Sequence, residues 1–168
     1  MPRITRHYIR IVDAVNYRLG RMIMYGIFIM VAILLWSSIS KTFFLPSLWT
    51  LEMAQFAMVT YYMLGGPYSI QMGANVRMDL FYHDWSDRKK AWFDAFTVLF
   101  MMLYLGVLLY GALDSTAYSF RYGERSPTAW RPYLWPIKVI MCVGVAMMML
   151  QALSEFFKDI ARLRGEEI

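Results

Sequence analysis

Four stretches of this 168-residue chain are apolar enough and long enough to cross a lipid bilayer: 22–40, 51–70, 91–113 and 134–153. A helix needs about 20 mostly apolar residues to span the hydrocarbon core. No water is present there to satisfy open backbone groups, so only a helix or a closed barrel survives, and uniform apolar runs of this length select the helix. The sequence therefore predicts an all-α integral membrane protein, a four-helix bundle forming one membrane domain over residues 1–168. Charged residues make up 17% of the chain, below the roughly 25% usual for a soluble domain. Any site outside the lipid would have to be built from short loops.

The distribution of cations predicts sidedness. Arg3, Arg6, Arg10, Arg18 and Arg21 precede the first run, Arg77, Arg88, Lys89 and Lys90 lie between the second and third, and Lys158, Arg162 and Arg164 follow the fourth. The opposite side carries only Lys41, Arg121, Arg125 and Arg131, with Lys138 at the start of the fourth run. Short loops rich in Lys and Arg stay in the cytoplasm. Both termini are thus expected inside, in a multi-pass, N-in and C-in arrangement. The surplus of positive charge faces membrane lipids and does not call for nucleic acid. A basic start followed by an apolar run also resembles a secretory signal, but a run of full span length reads as a retained span.

Before the first run, Tyr8, Ile9, Val12, Val15 and Leu19 recur at three- and four-residue steps while Arg6, Arg10, Asp13 and Arg18 fall mostly elsewhere. This periodicity predicts an amphipathic helix over 5–20 lying in the membrane interface. Span two opens with Glu52 and Gln55, and Gly65-Gly66-Pro67 near its end permits a kink and close helix approach. An acid near a helix entrance is either a functional group facing protein or an interfacial residue favoured by the helix dipole. The loop from Gly73 to Lys90 is the densest polar stretch and contains Arg77 and Asp79. Two positions apart, these point to different sides of a regular helix. In span three, Asp94 lies near one end, and Gly106 and Gly111 would admit a neighbouring helix. Residues 114–131 read as the longest outer loop, with a turn at Gly123-Glu-Arg-Ser-Pro127. Trp130, Arg131 and Pro132, then Trp135 and Pro136, open span four. The tail from Ser154 reads as a solvated helix end.

Several chemistries find no residues. There is no Gly-rich phosphate loop with its lysine. His7 and His83 lie outside the spans, where they could not hold haem within a bundle. No Cys/His cluster is spaced for zinc, and the single Cys142 sits in an apolar run as a packed small residue. Neither a catalytic site, a metal nor a cofactor is expected. Glu52, Gln55, Asp94 and Lys138 all stand near span ends, whereas transporter cores place polar groups and broken helices at the midplane. The pattern is that of a scaffold.

Glu52, Gly65-Gly66 and the run Gly73-Ala-Asn-Val-Arg-Met-Asp79-Leu-Phe, followed by Gly123-Glu-Arg-Ser-Pro-Thr-Ala-Trp-Arg-Pro132-Tyr-Leu-Trp-Pro136, resemble the small membrane subunit of TRAP (tripartite ATP-independent periplasmic) transporters, the DctQ-like family. The resemblance covers nearly the whole chain. Asn75 departs from it, standing where many members carry His, so no proton role is assigned there. The resemblance implies a bacterial inner-membrane protein bound to a large multi-span subunit, which holds the substrate and sodium sites. It also implies a periplasmic substrate-binding protein that delivers an organic acid such as a C4-dicarboxylate, sialic acid or an α-keto acid. Within it, Glu52, Gln55, Gly73, Arg77 and Asp79 are expected to contact the large subunit or to cap the bundle. Arg125, Trp130 and Arg131 are expected to face the periplasmic protein, with Pro132, Trp135 and Pro136 forming the entry to span four. Two other readings stand beside it: an autonomous small four-span carrier using Glu52, and a membrane anchor of a redox enzyme.

Overall fold

The computed structural model describes residues 3–73 and 87–163. Arg77, Asp79, Asn75 and His83 lie outside them, and the Asp94 side chain is likewise not described. The described residues form five helices: α1 (Arg3–Met24), α2 (Gly26–Phe43), α3 (Thr50–Gln71), α4 (Asp87–Tyr122) and α5 (Trp135–Leu163). Among the described residues there is no strand, only an isolated antiparallel bridge between Arg125 and Tyr133.

Local chemistry sets the ends. α1 passes into α2 through one tightened turn, in which the Tyr25 amide bonds the Met22 carbonyl and the Phe28 amide bonds that of Tyr25. The first helix therefore reaches Met24, beyond the expected 5–20. α2 stops where Phe44 turns extended, with its amide on the Ser40 carbonyl and Pro46 just beyond. α4 overruns the expected 91–113 by a further nine residues at its C-terminal end, because nothing from Asp114 to Tyr122 breaks a helix. It closes at Gly123, whose φ of +60° only glycine adopts freely. The Glu124 amide reaches back to the Ser119 carbonyl, completing a Schellman turn. The loop expected over 114–131 is accordingly the shorter segment 123–134. α5 also overruns its expected end at 153 and reaches Leu163. Ser154, Asp159 and Ala161 are buried, so the solvated tail is corrected to a packed helix end.

Among the described residues, three helical segments are long and apolar enough to cross a membrane: Thr5–Phe43, Phe96–Tyr122 and Trp135–Ala161. α3 is long enough at 22 residues but is diluted by Glu52, Gln55, Thr60, Gly65, Gly66, Pro67 and Ser69. Its packing explains the dilution. α3 is covered by α5, α1 and α2, whereas α4 packs chiefly on α5 and α2 chiefly on α3. The helices thus stand in a row, α2, α3, α5, α4, and α1 lies across the α3–α5 seam. A helix with neighbours on three sides can place polar groups against protein, while the outer members of the row must be apolar toward lipid.

The seam is set by small residues. A Cβ on Gly144 would come within 2.7 Å of the Met63 carbonyl oxygen, and one on Gly66 within 2.6 Å of the Met148 sulfur. The expected contact at Gly106 and Gly111 does not form, since nothing lies within 4 Å of a Cβ at either. Leu105, Val145 and Ala152 form the apolar core, and methionines 63, 101, 102, 148 and 149 fill around it. Flexible thioethers suit the irregular gaps of a row only one helix thick. Because α3 and α4 flank α5 without packing on each other, an open groove of about 630 Å³ remains. Met148 lies at its floor, Gly66 and Tyr61 on one wall, and Met101 and Tyr104 on the other.

Gly144→Val should destabilise the protein by about 1–3 kcal/mol through overpacking against rigid backbone. Gly106→Ala, which meets open space, should leave stability unchanged or raised. Thermal melts of the two variants in one detergent check this.

Candidate functional site

The polar side chains gather at the two ends of the α3–α5 seam. At the loop end, Glu52 occupies the first turn of α3 and is only 5% exposed. Its Oε1 accepts a hydrogen bond from the Ser126 hydroxyl at 3.2 Å, while Oε2 is buried without a partner among the described residues. Both sequence readings of Glu52 meet here: it sits where the helix dipole favours an anion, and it faces protein. Ser126 belongs to the 123–134 loop, which folds back on itself. The Ser126 amide bonds the Pro132 carbonyl, and the Leu134 amide bonds that of Glu124. Arg125 lies over the Tyr133 ring, 4.2 Å from its centroid, and donates to the Tyr133 hydroxyl. Trp130 and Arg131 form the exposed tip, with Arg131 at a φ of +50°, costly for a non-glycine residue. Of the three residues expected to face a periplasmic partner, Arg125 is thus engaged within the loop, while Trp130 and Arg131 project outward. Pro132 closes the turn, Pro136 sits in the first turn of α5, and Trp135 meets Phe120 edge to face at 5.9 Å.

Below the loop, Lys138 donates to the Ser119 hydroxyl at 2.6 Å and to Glu124 Oε2 at 2.7 Å, and Ser119 donates to the same carboxylate oxygen. This trio joins the last turn of α4 to the first turn of α5. The hydrogen bond from Lys138, followed by that from Ser119, holds the Glu124 carboxyl below its ordinary value. Thr50 donates to Ser37 and so ties α3 to α2.

The other end holds a denser network. Gln151 is fully buried. It accepts from Asn16 at 2.6 Å and donates to Asp13 at 2.9 Å and Glu155 at 3.2 Å. Asp13 also accepts from Ser154, and it pairs with Lys158 at 2.7 Å. Lys158 bonds Glu155 at 2.8 Å. Gln71 donates to the Asp13 carbonyl, and the Tyr8 hydroxyl to that of Leu150. The Asp13 and Asn16 side of α1 is therefore spent on α3 and α5. Gln55 and Gly73 are exposed, Gly73 ending α3 at a φ of +62°.

Sequence reasoning named Glu52 and Lys138 but missed this second network. Its signal is the spacing Gln151, Ser154, Glu155 and Lys158 on one face of α5, facing Asp13 and Asn16 three apart on α1. Buried polar groups in a water-poor medium are stabilising only when their partners are all present. Among the described residues no group of His, Cys, Asp and Glu could hold a metal ion. The bonds join helices, and what this arrangement can do chemically is fix the register of α1, α3, α4 and α5.

Two predictions follow from these bonds. Gln151→Leu leaves Asp13 and Asn16 short of partners and should cost about 1–3 kcal/mol, read as a lowered Tm and faster proteolysis within α1. The second concerns Glu124, whose lowered pKa stabilises the fold above its ordinary 4.5 and loses that contribution as pH falls through the lowered value. The Tm gap between wild type and Glu124→Gln should be open at neutral pH and close in acid.

The model of the family described as "Tripartite ATP-independent periplasmic transporters, DctQ component" matches residues 30–162, well over half of the chain. No curated protein and no solved structure matches it. The matched stretch takes in α3, α4, most of α2 and α5, the 123–134 loop and Glu52. The chain belongs to the DctQ component family of the tripartite ATP-independent periplasmic transporters.

Proposed function

We propose that this chain is the small scaffold subunit of a sodium-driven transporter, bracing a large multi-span subunit that holds the substrate and sodium sites. The substrate would be an organic acid or similar small solute handed over by a periplasmic binding protein. The observation that carries this reading is the row. Its polar side chains tie one helix to the next at the two ends, while α4 is left with a broad apolar and aromatic flank including Leu103, Tyr104, Val107 and Tyr110. A flank of that kind suits lipid or another membrane protein. In this reading all of α2 to α5 cross the inner membrane, α3 being admitted despite its polar residues because its neighbours cover them. Both termini are cytoplasmic and α1 lies at that interface, an orientation supported by the arginines at positions 3, 6, 10, 18 and 21.

Glu52, Gln55, Gly73, Arg77 and Asp79 retain the role of partner contact or polar cap, and Trp130 and Arg131 that of meeting the binding protein. Arg125 serves by shaping their loop through Tyr133. The competing reading, an autonomous carrier using Glu52, is disfavoured by the bond from Ser126 that commits one oxygen of the acid to the outer loop.

The test is a mild-detergent pull-down of the tagged chain from its native membrane, with mass spectrometry of what accompanies it. A large multi-span partner in equal amount is expected, and Arg77→Ala should reduce its yield. A chain recovered alone, and moving substrate by itself in liposomes in a way lost in Glu52→Gln, would overturn the scaffold reading.

A further inference from the structure

Between α2 and α3 the chain makes a loop, 44–49, with an unusual division of labour. Its side chains face outward: Leu45 is 89% exposed, Phe44 69% and Leu48 63%, and Phe43 at the end of α2 is 76% exposed. Its hydroxyls and several of its carbonyls turn inward. The Phe44 amide bonds the Ser40 carbonyl, the Ser40 hydroxyl bonds the Leu45 carbonyl, and the Trp49 carbonyl accepts from the Met53 amide. The Thr50 hydroxyl reaches the Ser47 carbonyl and is itself bonded to the hydroxyls of Ser47 and Ser37. Thr42 bonds back to the Ser38 carbonyl. Pro46 has no amide hydrogen to satisfy.

Three media could meet such a loop. Water does not require a loop to consume its own hydrogen-bonding groups, and it disfavours four neighbouring large apolar side chains. A protein partner would ask for about one hydrogen bond per 100–200 Å² of contact, yet the hydroxyls of Ser37, Ser40, Thr42, Ser47 and Thr50 are already engaged within the chain. The headgroup–acyl boundary asks for what is present: apolar side chains outside, and hydroxyls already engaged within the chain. The charge agrees. From Met22 to Leu51 the only ionisable side chains besides Tyr25 belong to Lys41, which is exposed, so the segment has a cation for a lipid phosphate and no acid to repel one. Trp49, at the end of the loop, is the residue type that settles at the headgroup level.

We propose that the 44–49 loop is a lipid wedge, seating Phe44, Leu45 and Leu48 at the headgroup–acyl boundary of the facing leaflet while Lys41 reaches a phospholipid phosphate. The wedge anchors the α2 edge of the row at a fixed depth. It depends on membrane residence and not on which subunits accompany the chain.

The test places an environment-sensitive fluorophore on Leu45→Cys in a Cys142→Ala background. The full chain is reconstituted in nanodiscs of phosphatidylethanolamine and phosphatidylglycerol, with and without brominated acyl chains. A label on Ala129→Cys, at the exposed tip of the neighbouring loop, is the reference, and Leu48→Cys is the second position should Leu45→Cys fail to fold. The Leu45 label should emit to the blue of the reference and lose most of its intensity to brominated lipid while resisting iodide. The reference should do the reverse. In Lys41→Glu the loss to brominated lipid should fall. Quenching of the Leu45 label by iodide alone would place the loop in water and overturn the proposal. Protection from both quenchers would place protein over the loop and overturn it equally.

Discussion

The close approach of α3 and α5 at Gly144 is the contact on which the remaining architecture hangs. α2 joins the molecule chiefly through α3 and α4 chiefly through α5, so this one seam holds the two halves of the row together. In a closed bundle each helix has two neighbours and a weakened contact is shared. In this row the load falls on the one seam, backed only where α1 and the 123–134 loop cross it. Lipid tails are as apolar as leucine and supply no hydrophobic drive between helices, so close packing of small residues and polar bonds must do it. The structure uses both, with small residues at mid-seam and hydrogen-bonded clusters at its two ends.

The two clusters differ in what they secure. At the loop end, Ser126 on Glu52 and Lys138 on Glu124 pin the 123–134 loop over the starts of α3 and α5. This gives the Gly123 to Pro136 run a physical meaning. Its glycine ends α4, its serine meets the acid of α3, and its arginine and tyrosine stack to hold the turn that lifts Trp130 and Arg131 outward. At the other end, Asp13, Asn16 and Gln151 fasten α1 across the seam. A helix whose exposed side carries Arg10, Arg18 and Arg21 beside Ile11 and Val15, and whose inner side is bonded to α3 and α5, is a clamp as well as a surface element.

Much of this was legible before any coordinates. Long apolar runs declared the helices, Pro136 the entry to α5 and Gly123 the turn. What was not legible has particular causes. Helix ends at Tyr122 and Leu163 lie past the apolar runs, because hydropathy marks where lipid stops and not where the backbone stops being helical. Gly106 and Gly111 looked like contact sites and Gly144 did not stand out, since small size shows where approach is possible but not which neighbour makes it. Gln151 was hidden in an apolar run because its partners, Asp13 and Asn16, lie more than a hundred residues earlier. α3, with polar residues spread along its length, proved to be covered by α5, α1 and α2, an arrangement that composition alone does not reveal.

The lengths of the helices carry a mechanical consequence. The 36 residues of α4 rise about 54 Å at 1.5 Å each, against a hydrocarbon core about 30 Å thick. The 29 residues of α5 rise about 44 Å. Helices so mismatched to the bilayer stand proud of it or lean. Since the Lys138 trio locks α4 to α5 at one end, whatever tilt one takes the other must share. A stiff, leaning fence of this kind imposes its own thickness on the lipid beside it, and any membrane neighbour that joins it has to accept the same angle.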